Sequence, residues 1–164
     1  MIVLANLEDL LEIKKFIDII REELLEEENP QWQEDYPNEE IILNDINNNY
    51  QYLYKDNNII KGIISITDDF GEYKNLIKNT SLKPAYIVHR LAVKKEFRNE
   101  NIASKLLEFA EKKARIDNIK VLKSDTEKCN HKMIKLFKKF GYKYVSNFCY
   151  DDYPGSYEYF EKLV

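Results

Sequence analysis

Apolar residues along this chain follow two different periods. In four segments they recur every three to four positions, which is the spacing of a helix with one buried face. In seven shorter segments they alternate or run together, as they do in strands. The predicted helices are residues 7–28, 39–47, 102–117 and 130–140. The predicted strands are residues 2–5, 50–55, 59–67, 85–93, 119–124, 142–150 and 157–163.

Helices therefore interleave with strands in the order β-α-α-β-β-β-α-β-α-β-β. Such an order predicts an α/β (α+β) fold in which helices cover both faces of one mixed sheet. Local signals mark three boundaries. Asn38 is placed to cap the second helix, Asp56 to Asn58 suit a tight hairpin turn, and Gly141 is a natural helix stop. A helical turn is also predicted near residues 73–77.

The chain has 164 residues, of which 44% are hydrophobic and 33% charged. At roughly 150 residues per domain, this length predicts one domain, residues 1–164. Lys and Arg number 25 and Asp and Glu number 29, so the net charge is −4. That charge argues against a general nucleic-acid binder. No apolar run reaches the roughly 20 residues of a membrane span, and the start of the chain resembles no signal or transit peptide.

The cysteine and histidine residues are too scattered to suggest a metal site. Cys129 and Cys149 form no CxxC pair, and His89 and His131 lie at unrelated spacings. We therefore expect no metal and no disulfide framework. Such cysteine usage indicates a reducing, cytoplasmic compartment.

The most informative segment is a strand, a polar loop and a helix in succession. The strand ends at Val93, the loop carries Arg98, and the helix begins near Ile102. The first turn of a helix offers unpaired N–H groups and a partial positive charge, so this unit is a candidate anion site. Asn99 and Asn101 tolerate the positive φ that turns backbone amides toward one point. The alternative interpretation is an ordinary strand-to-helix turn with a surface arginine.

Three motifs of this region together resemble the GCN5-related N-acetyltransferase (GNAT) superfamily, in its bacterial members. Arg98-x-x-Asn101-x-Ala103 resembles the family's Arg/Gln-x-x-Gly-x-Gly/Ala, which holds the pyrophosphate of acetyl-CoA. His89-Arg90-Leu91-Ala92-Val93 resembles its fourth strand. The segment from Asn130 to Tyr142 resembles its next motif, Asn-x-x-x-x-x-x-Tyr-x-x-x-Gly-Phe. The order of elements also matches along the whole chain, so we expect the family's mostly antiparallel sheet.

The resemblance implies a binding site for acetyl-CoA. The strands 85–93 and 119–124 would diverge, and the pantetheine arm would bond to the backbone of the first strand like an added strand. A backbone N–H there would polarise the thioester carbonyl. Asn130 would face the pantetheine. The strand residues are Leu91, Ala92 and Val93, and the pyrophosphate residues are Arg98, Asn99, Glu100, Asn101, Ile102, Ala103 and Ser104.

Two departures from the family pattern affect this expectation. Asn99 and Asn101 replace glycine, so their side chains crowd the phosphates and weaken binding. Phe137 stands beside the cofactor where many members have the tyrosine that reprotonates the CoA thiolate, and it has no proton to donate. Water or another group would then reprotonate the sulfur, or the enzyme would be slow.

Two residues are candidates for catalysis and two for acceptor binding. His89 could deprotonate the amine, directly or through water, or be a structural histidine. Asp125 closes a strand that would flank the cofactor, or else caps a loop. Trp32 and Tyr36 could form a wall of the acceptor pocket or a hydrophobic plug over the core. The acidic stretch Glu22 to Glu28 could steer a cationic amine or be a solvated helix face.

The sequence thus predicts an acetyl-CoA-dependent N-acetyltransferase in which a primary amine attacks the thioester directly. The acceptor, a small molecule or a peptide, stays open, and a homodimer is compatible with the fold. One alternative is a weak or inactive acyl-CoA-binding sensor or interaction module. A second alternative is a nucleotide-binding domain of another fold, because the anion-binding loop alone does not identify which phosphate compound it binds.

Overall fold

The chain forms four α-helices and seven strands in the residues that the computed structural model describes, which are 1–33, 35–75, 77–81, 83–149 and 155–164. The side chain of Glu72 is outside that description. The helices are α1 (Leu10–Glu26), α2 (Glu39–Asn47), α3 (Ile102–Ile116) and α4 (His131–Lys139). The strands are β1 (Ile2–Leu4), β2 (Gln51–Asp56), β3 (Ile59–Asp68), β4 (Ala85–Val93), β5 (Val121–Glu127), β6 (Lys143–Phe148) and β7 (Tyr157–Leu163).

The strands form one sheet in the order β1-β2-β3-β4-β5-β7-β6. The pairs β1–β2, β2–β3, β5–β7 and β6–β7 are antiparallel, and the pair β4–β5 is parallel. The mixed, mostly antiparallel sheet predicted above is therefore confirmed. Two compact units contain these elements: residues 1–66 with 90–106, and residues 67–89 with 107–164.

The first unit is built on the apolar stripe of α1. Its residues Ile13, Phe16, Ile17 and Ile20 are all buried, and they pack with β2 and β3 in one core cluster. α2 starts where the sequence predicts, because the Asn38 side chain accepts a hydrogen bond from Ile41 N at 3.0 Å.

The second unit is rich in buried aromatic side chains. One cluster contains Tyr73, Tyr157 and Tyr159 with Phe148, and it also includes Ile87 of β4. Phe137 of α4 packs against Phe160 of β7, with ring centroids 5.4 Å apart. These contacts hold α4 against the strand pair β6–β7.

Several boundaries differ from the sequence prediction. The first helix opens with a 3₁₀ turn at Leu7–Asp9, because Asn6 and Asp9 cap each other's backbone N–H groups there. β5 extends to Glu127 rather than Ser124, because β7 pairs with it along its full length. The sheet, and not the apolar pattern, sets that end. The strand predicted over residues 142–150 is shorter, Lys143–Phe148. Residues 150–154, which include most of the predicted connection from Asp151 to Ser156, lie outside the described residues.

A buried ion pair in the second unit provides a stability test. Lys123 of β5 donates to Asp69, and their side chains are 2% and 7% exposed. Substituting Lys123→Met leaves the buried Asp69 carboxylate without its ion-pair partner. We therefore expect the free energy of unfolding to fall by about 3–5 kcal/mol in urea titrations. The double substitution Lys123→Met with Asp69→Asn should recover most of that loss. A single variant within about 1 kcal/mol of wild type would show that the pair adds nothing.

Candidate functional site

The backbone of β4 is kinked in its middle. Arg90 has φ of 49°, a left-handed conformation that is uncommon for any residue with a Cβ and unusual inside a strand. Such a conformation costs about 1–3 kcal/mol and persists only where neighbouring groups hold it. It also interrupts the regular two-residue alternation of side chains between the two faces of the strand.

Buried polar groups of α2 and β3 hold the side chain of Arg90. Its Nη2 and Nε donate to Asp45 Oδ2 of α2 at 2.6 and 2.9 Å, and Nε also lies 3.2 Å from Ser65 Oγ of β3. Ser65 Oγ lies 2.7 Å from the same Asp45 oxygen and 3.0 Å from Gln51 Oε1. Asp45 is 1% exposed, so the arginine neutralises a carboxylate that water does not reach.

The loop after β4 is bound to the C-terminal end of α1. Lys95 N donates to both carboxylate oxygens of Glu23 at 3.0 Å. Arg98 donates to Glu23 at 2.9 Å, to Glu27, and to Val93 O at 3.3 Å. Part of the acidic stretch therefore anchors the loop, which neither interpretation of that stretch predicted. The phosphate role of Arg98 stays a prediction, and its guanidinium already has two carboxylate partners here.

α3 opens at the end of that loop with a left-handed residue. Of the two asparagines in the motif, Asn101 adopts positive φ (58°). The helical ladder starts at the bond from Lys105 N to Asn101 O at 3.0 Å. The N–H groups of Ile102, Ala103 and Ser104 precede that ladder and are the donors that a helix start offers to an anion. The Glu100 carboxylate accepts from Lys61 Nζ at 2.9 Å.

The pairing of β4 with β5 occupies only the start of β4. It joins Ala85 to Val121, Tyr86 to Leu122 and Ile87 to Lys123. Ser124 Oγ then donates to Val88 O at 2.8 Å. The register thus ends three residues before the kink at Arg90.

Both catalytic candidates lie around one buried tyrosine in the second unit. Tyr73 donates its hydroxyl proton to Asp125, and its ring lies 6.5 Å from that of His89 and 4.6 Å from that of Tyr159. Burial and a hydrogen bond to Glu161 raise the pKa of Tyr159, so that phenol stays protonated. Tyr73 is not among the site residues that the sequence predicts. The predicted helical turn near it gave no sign that its hydroxyl meets β5.

The two candidates on α4 have clear structural roles. Asn130 caps the helix by accepting from Met133 N at 3.2 Å. Phe137 is 2% exposed, and its ring lies 5.1 Å from that of Tyr142. The hydroxyl of Tyr142 is buried and lacks a hydrogen-bond partner among the described residues. The contacts of Asn130 and Phe137 with a cofactor stay predictions.

The two acceptor candidates differ in exposure. Trp32 is partly buried and packs against the core of the first unit, which favours the plug interpretation for it. Tyr36 is 41% exposed, and its hydroxyl accepts from Arg90 Nη1 at 3.1 Å. Arg21 holds the backbone of this segment through the carbonyl oxygens of Tyr36 and Pro37. Tyr36 therefore connects the exposed surface to the buried network around Arg90.

A sequence model of the Acetyltransferase (GNAT) family matches residues 17–142, which include the kinked strand, the loop and α3. The chain belongs to this family. The match covers most of the chain and confirms the resemblance seen in the motifs.

Solved structures of GNAT acetyltransferases share its fold. An acetyltransferase from Streptococcus agalactiae 2603 is 24% identical with a TM-score of 0.82, covering 100% of this chain and 95% of its own. One from Listeria monocytogenes 4b F2365 is 17% identical with a TM-score of 0.80, covering 100% and 94%. A NatC complex bound to Gag peptide and CoA is 21% identical with a TM-score of 0.75, covering 100% and 98%. None of the curated proteins compared with the chain matches it.

The described residues include no helix with the length and apolar character that a membrane crossing requires. They also contain no group of three or more His, Cys, Asp or Glu side chains arranged to hold a metal ion.

The left-handed turn at Asn101 can be tested by substitution. We expect Asn101→Gly to change the free energy of unfolding by less than about 1 kcal/mol, since glycine adopts positive φ freely. Asn101→Val should lower it by about 1–2 kcal/mol, because a branched Cβ collides with the backbone at this φ. Chemical denaturation measures both. Equal stability of the two variants would mean that the turn relaxes to another conformation.

Proposed function

We propose that residues 1–164 act as one acetyl-CoA-dependent N-acetyltransferase domain that transfers an acetyl group to a primary amine. Family membership supports acetyl transfer in general. The observation that carries the proposal further is the unit formed by the kinked β4, its anchored loop and the left-handed turn that opens α3. This supports the proposal because a diphosphate and an extended amide chain would both find backbone donors along one continuous segment.

Acetyl-CoA fits the groups that this segment presents. The N–H groups at the start of α3 would bind the diphosphate, with Arg98 adding positive charge. The backbone of Leu91 to Val93 would pair with the pantetheine amides. When bound, acetyl-CoA supplies an acetyl group activated as a thioester. A backbone N–H of β4 would polarise its carbonyl for attack.

The cluster around Tyr73 supports a route for the acceptor's proton. The acceptor amine must lose a proton to attack, and a lysine-like amine has an unperturbed pKa near 10.4. The Asp125 carboxylate, oriented by the Tyr73 hydroxyl, would hold the ammonium and take its proton, or His89 would do so through water. The new amide bond replaces the thioester bond, and the thiolate leaves with the bond's electron pair. Position 137 supplies no proton to that thiolate, because phenylalanine has none.

A catalytically weak acyl-CoA sensor is the second candidate. Phe137 favours it, and so does the pairing of Arg98 with Glu23 and Glu27 instead of an exposed cation. Both features would lower turnover or affinity while preserving the fold. An assay of CoA release separates the two candidates.

The remaining expectations concern the surroundings of the protein. We propose a small-molecule or peptide amine as the acceptor, a cytoplasmic location and a bacterial source. The proposed location rests on the cysteine usage of the sequence, in which Cys129 and Cys149 form no CxxC pair. A homodimer stays a prediction, which light scattering checks.

We expect acetyl-CoA to raise the thermal midpoint and to release CoA thiol when an amine from a broad panel is added. At 100 times its dissociation constant, a ligand adds about 2.7 kcal/mol of stability. Binding without turnover on any amine would favour the sensor. Stabilisation by ATP or NAD but not by acetyl-CoA would support the nucleotide-binding alternative and overturn the proposal.

Substituting Arg98→Ala tests the phosphate contact. If the guanidinium reaches a phosphate, acetyl-CoA affinity should fall by about 1.5 kcal/mol, the lower end for a charge-assisted bond, because two carboxylates already share this cation. Glu27→Gln is the matched variant and should tighten binding, since it frees one edge of the guanidinium. Calorimetry measures both. Unchanged affinity in both variants would remove Arg98 from the phosphate site.

Substituting Tyr73→Phe tests the proton route. It removes the bond to Asp125 and keeps the ring in its aromatic cluster, so we expect kcat to fall about tenfold or more with unchanged acetyl-CoA affinity. Tyr144→Phe is the control, because that hydroxyl bonds to Asn147 on an exposed strand. Equal loss in both variants, or none in Tyr73→Phe, would contradict the role of the cluster.

A further inference from the structure

Arg90 belongs to the strand motif, but the sequence predicts no role in the site for it. It is the sixth residue of β4, it has a Cβ, and it adopts positive φ in the middle of a strand. Strained backbone of this kind persists where the surrounding structure over-determines it, and it concentrates at functional sites.

A network of side-chain hydrogen bonds holds Arg90 in place. The guanidinium makes three contacts with acceptors of α2 and β3, and its partner Asp45 is buried. Gln51 extends the network by donating to Ile64 O at 3.2 Å. Each member is thus tied to a different regular element, so the guanidinium has little freedom to follow a different backbone conformation.

The segment after Arg90 is fixed at two further points. Lys94 N donates to Lys61 O of β3 at 3.1 Å, which fixes the far end of the strand. In between, Ala92 O approaches β3 so closely that a Cβ on Gly62 would lie 3.1 Å from it. The segment Leu91 to Val93 is therefore fixed at Arg90 and at Lys94, and it packs closely over Gly62 of β3. The φ of Arg90 sets the direction in which the segment starts.

We propose that Arg90 is a positioning residue that fixes the backbone of Leu91 to Val93 for binding the pantetheine arm of acetyl-CoA. This inference rests on the proposed function, because it needs that arm to pair with β4. The Arg90–Asp45 pair selects one conformation of the strand in advance, so the ligand does not have to order it. Through its bond to Tyr36, the same guanidinium also fixes an exposed tyrosine that borders the strand.

Two ligands separate positioning from general structural support. Coenzyme A contains the pantetheine arm, and adenosine 3′,5′-bisphosphate contains only a nucleotide part with phosphates. A residue that positions Leu91 to Val93 affects the affinity of the first ligand and not that of the second. A residue that merely stabilises the fold affects both or neither.

The primary variant is Arg90→Lys, which keeps the charge and loses the planar set of donors. We expect its dissociation constant for coenzyme A to rise at least tenfold by calorimetry, and that for adenosine 3′,5′-bisphosphate to stay within twofold of wild type. Arg115→Lys is the matched control, because Arg115 makes an exposed pair with Glu111. It should change neither affinity.

Two more variants keep the test decisive if Arg90→Lys folds poorly. Ser65→Ala retains both charges and removes one acceptor, so it should weaken coenzyme A binding about threefold. Arg90→Gly with Asp45→Asn allows positive φ without the ion pair. If that double variant binds coenzyme A as well as wild type, the φ alone suffices and the role of the guanidinium is overturned.

The remaining outcomes are equally clear. The positioning role is overturned if the variants lose equal affinity for both ligands. It is also overturned if Arg90→Lys and Ser65→Ala bind coenzyme A with unchanged affinity. The proposed function stands in either case. Wild-type protein that binds neither ligand overturns the proposed function itself. Circular dichroism of each variant shows whether it is folded before its affinity is compared.

Discussion

A buried ion pair between Arg90 and Asp45 sets the geometry on which the candidate site depends. Taking two charges out of water is costly, and such a pair is favourable only where hydrogen bonds satisfy the remaining donors and acceptors. Ser65 and Gln51 provide those bonds. The result is a strained strand residue held by α2 and β3, followed by the segment proposed to bind acetyl-CoA. Such a pair contributes more to the selection of a single backbone conformation than to net stability.

The two ends of the segment from β4 to α3 are held by different kinds of interaction. At β4 the anchors are buried, so salt screens them little. At the loop, Arg98 and Lys95 bind carboxylates of α1 that are partly exposed. The diphosphate proposed for this loop carries the same charge as those carboxylates. The ligand and the carboxylates of Glu23 and Glu27 would therefore compete for the same positive charge, so these two residues would affect ligand affinity.

The catalytic candidates depend on a separate group of contacts. Tyr73 connects Asp125 to an aromatic cluster, and Tyr159 of that cluster remains a neutral phenol because it is buried. The Asp125 carboxylate is thus oriented by a neutral hydrogen-bond donor, in agreement with the proposal that it holds an ammonium group. Phe137 of α4 and Tyr142, which follows this helix in the chain, form a packed aromatic pair. Their burial explains why a residue at a family motif position can serve the core instead of proton transfer.

The sequence by itself determined most of the architecture. Period and capping located the four helices and seven strands, and three motifs indicated the family, because such signals are local along the chain. The same local signals predict Arg98, Asn101 and Asn130 as residues of the site. The tertiary structure decided the contacts between distant residues: Asp45 with Arg90, Glu23 and Glu27 with Arg98, and Tyr73 with Asp125. The left-handed φ of Arg90 belongs with these, since an arginine in an apolar strand predicts ordinary extended backbone. Only folding brings the buried carboxylate that holds it.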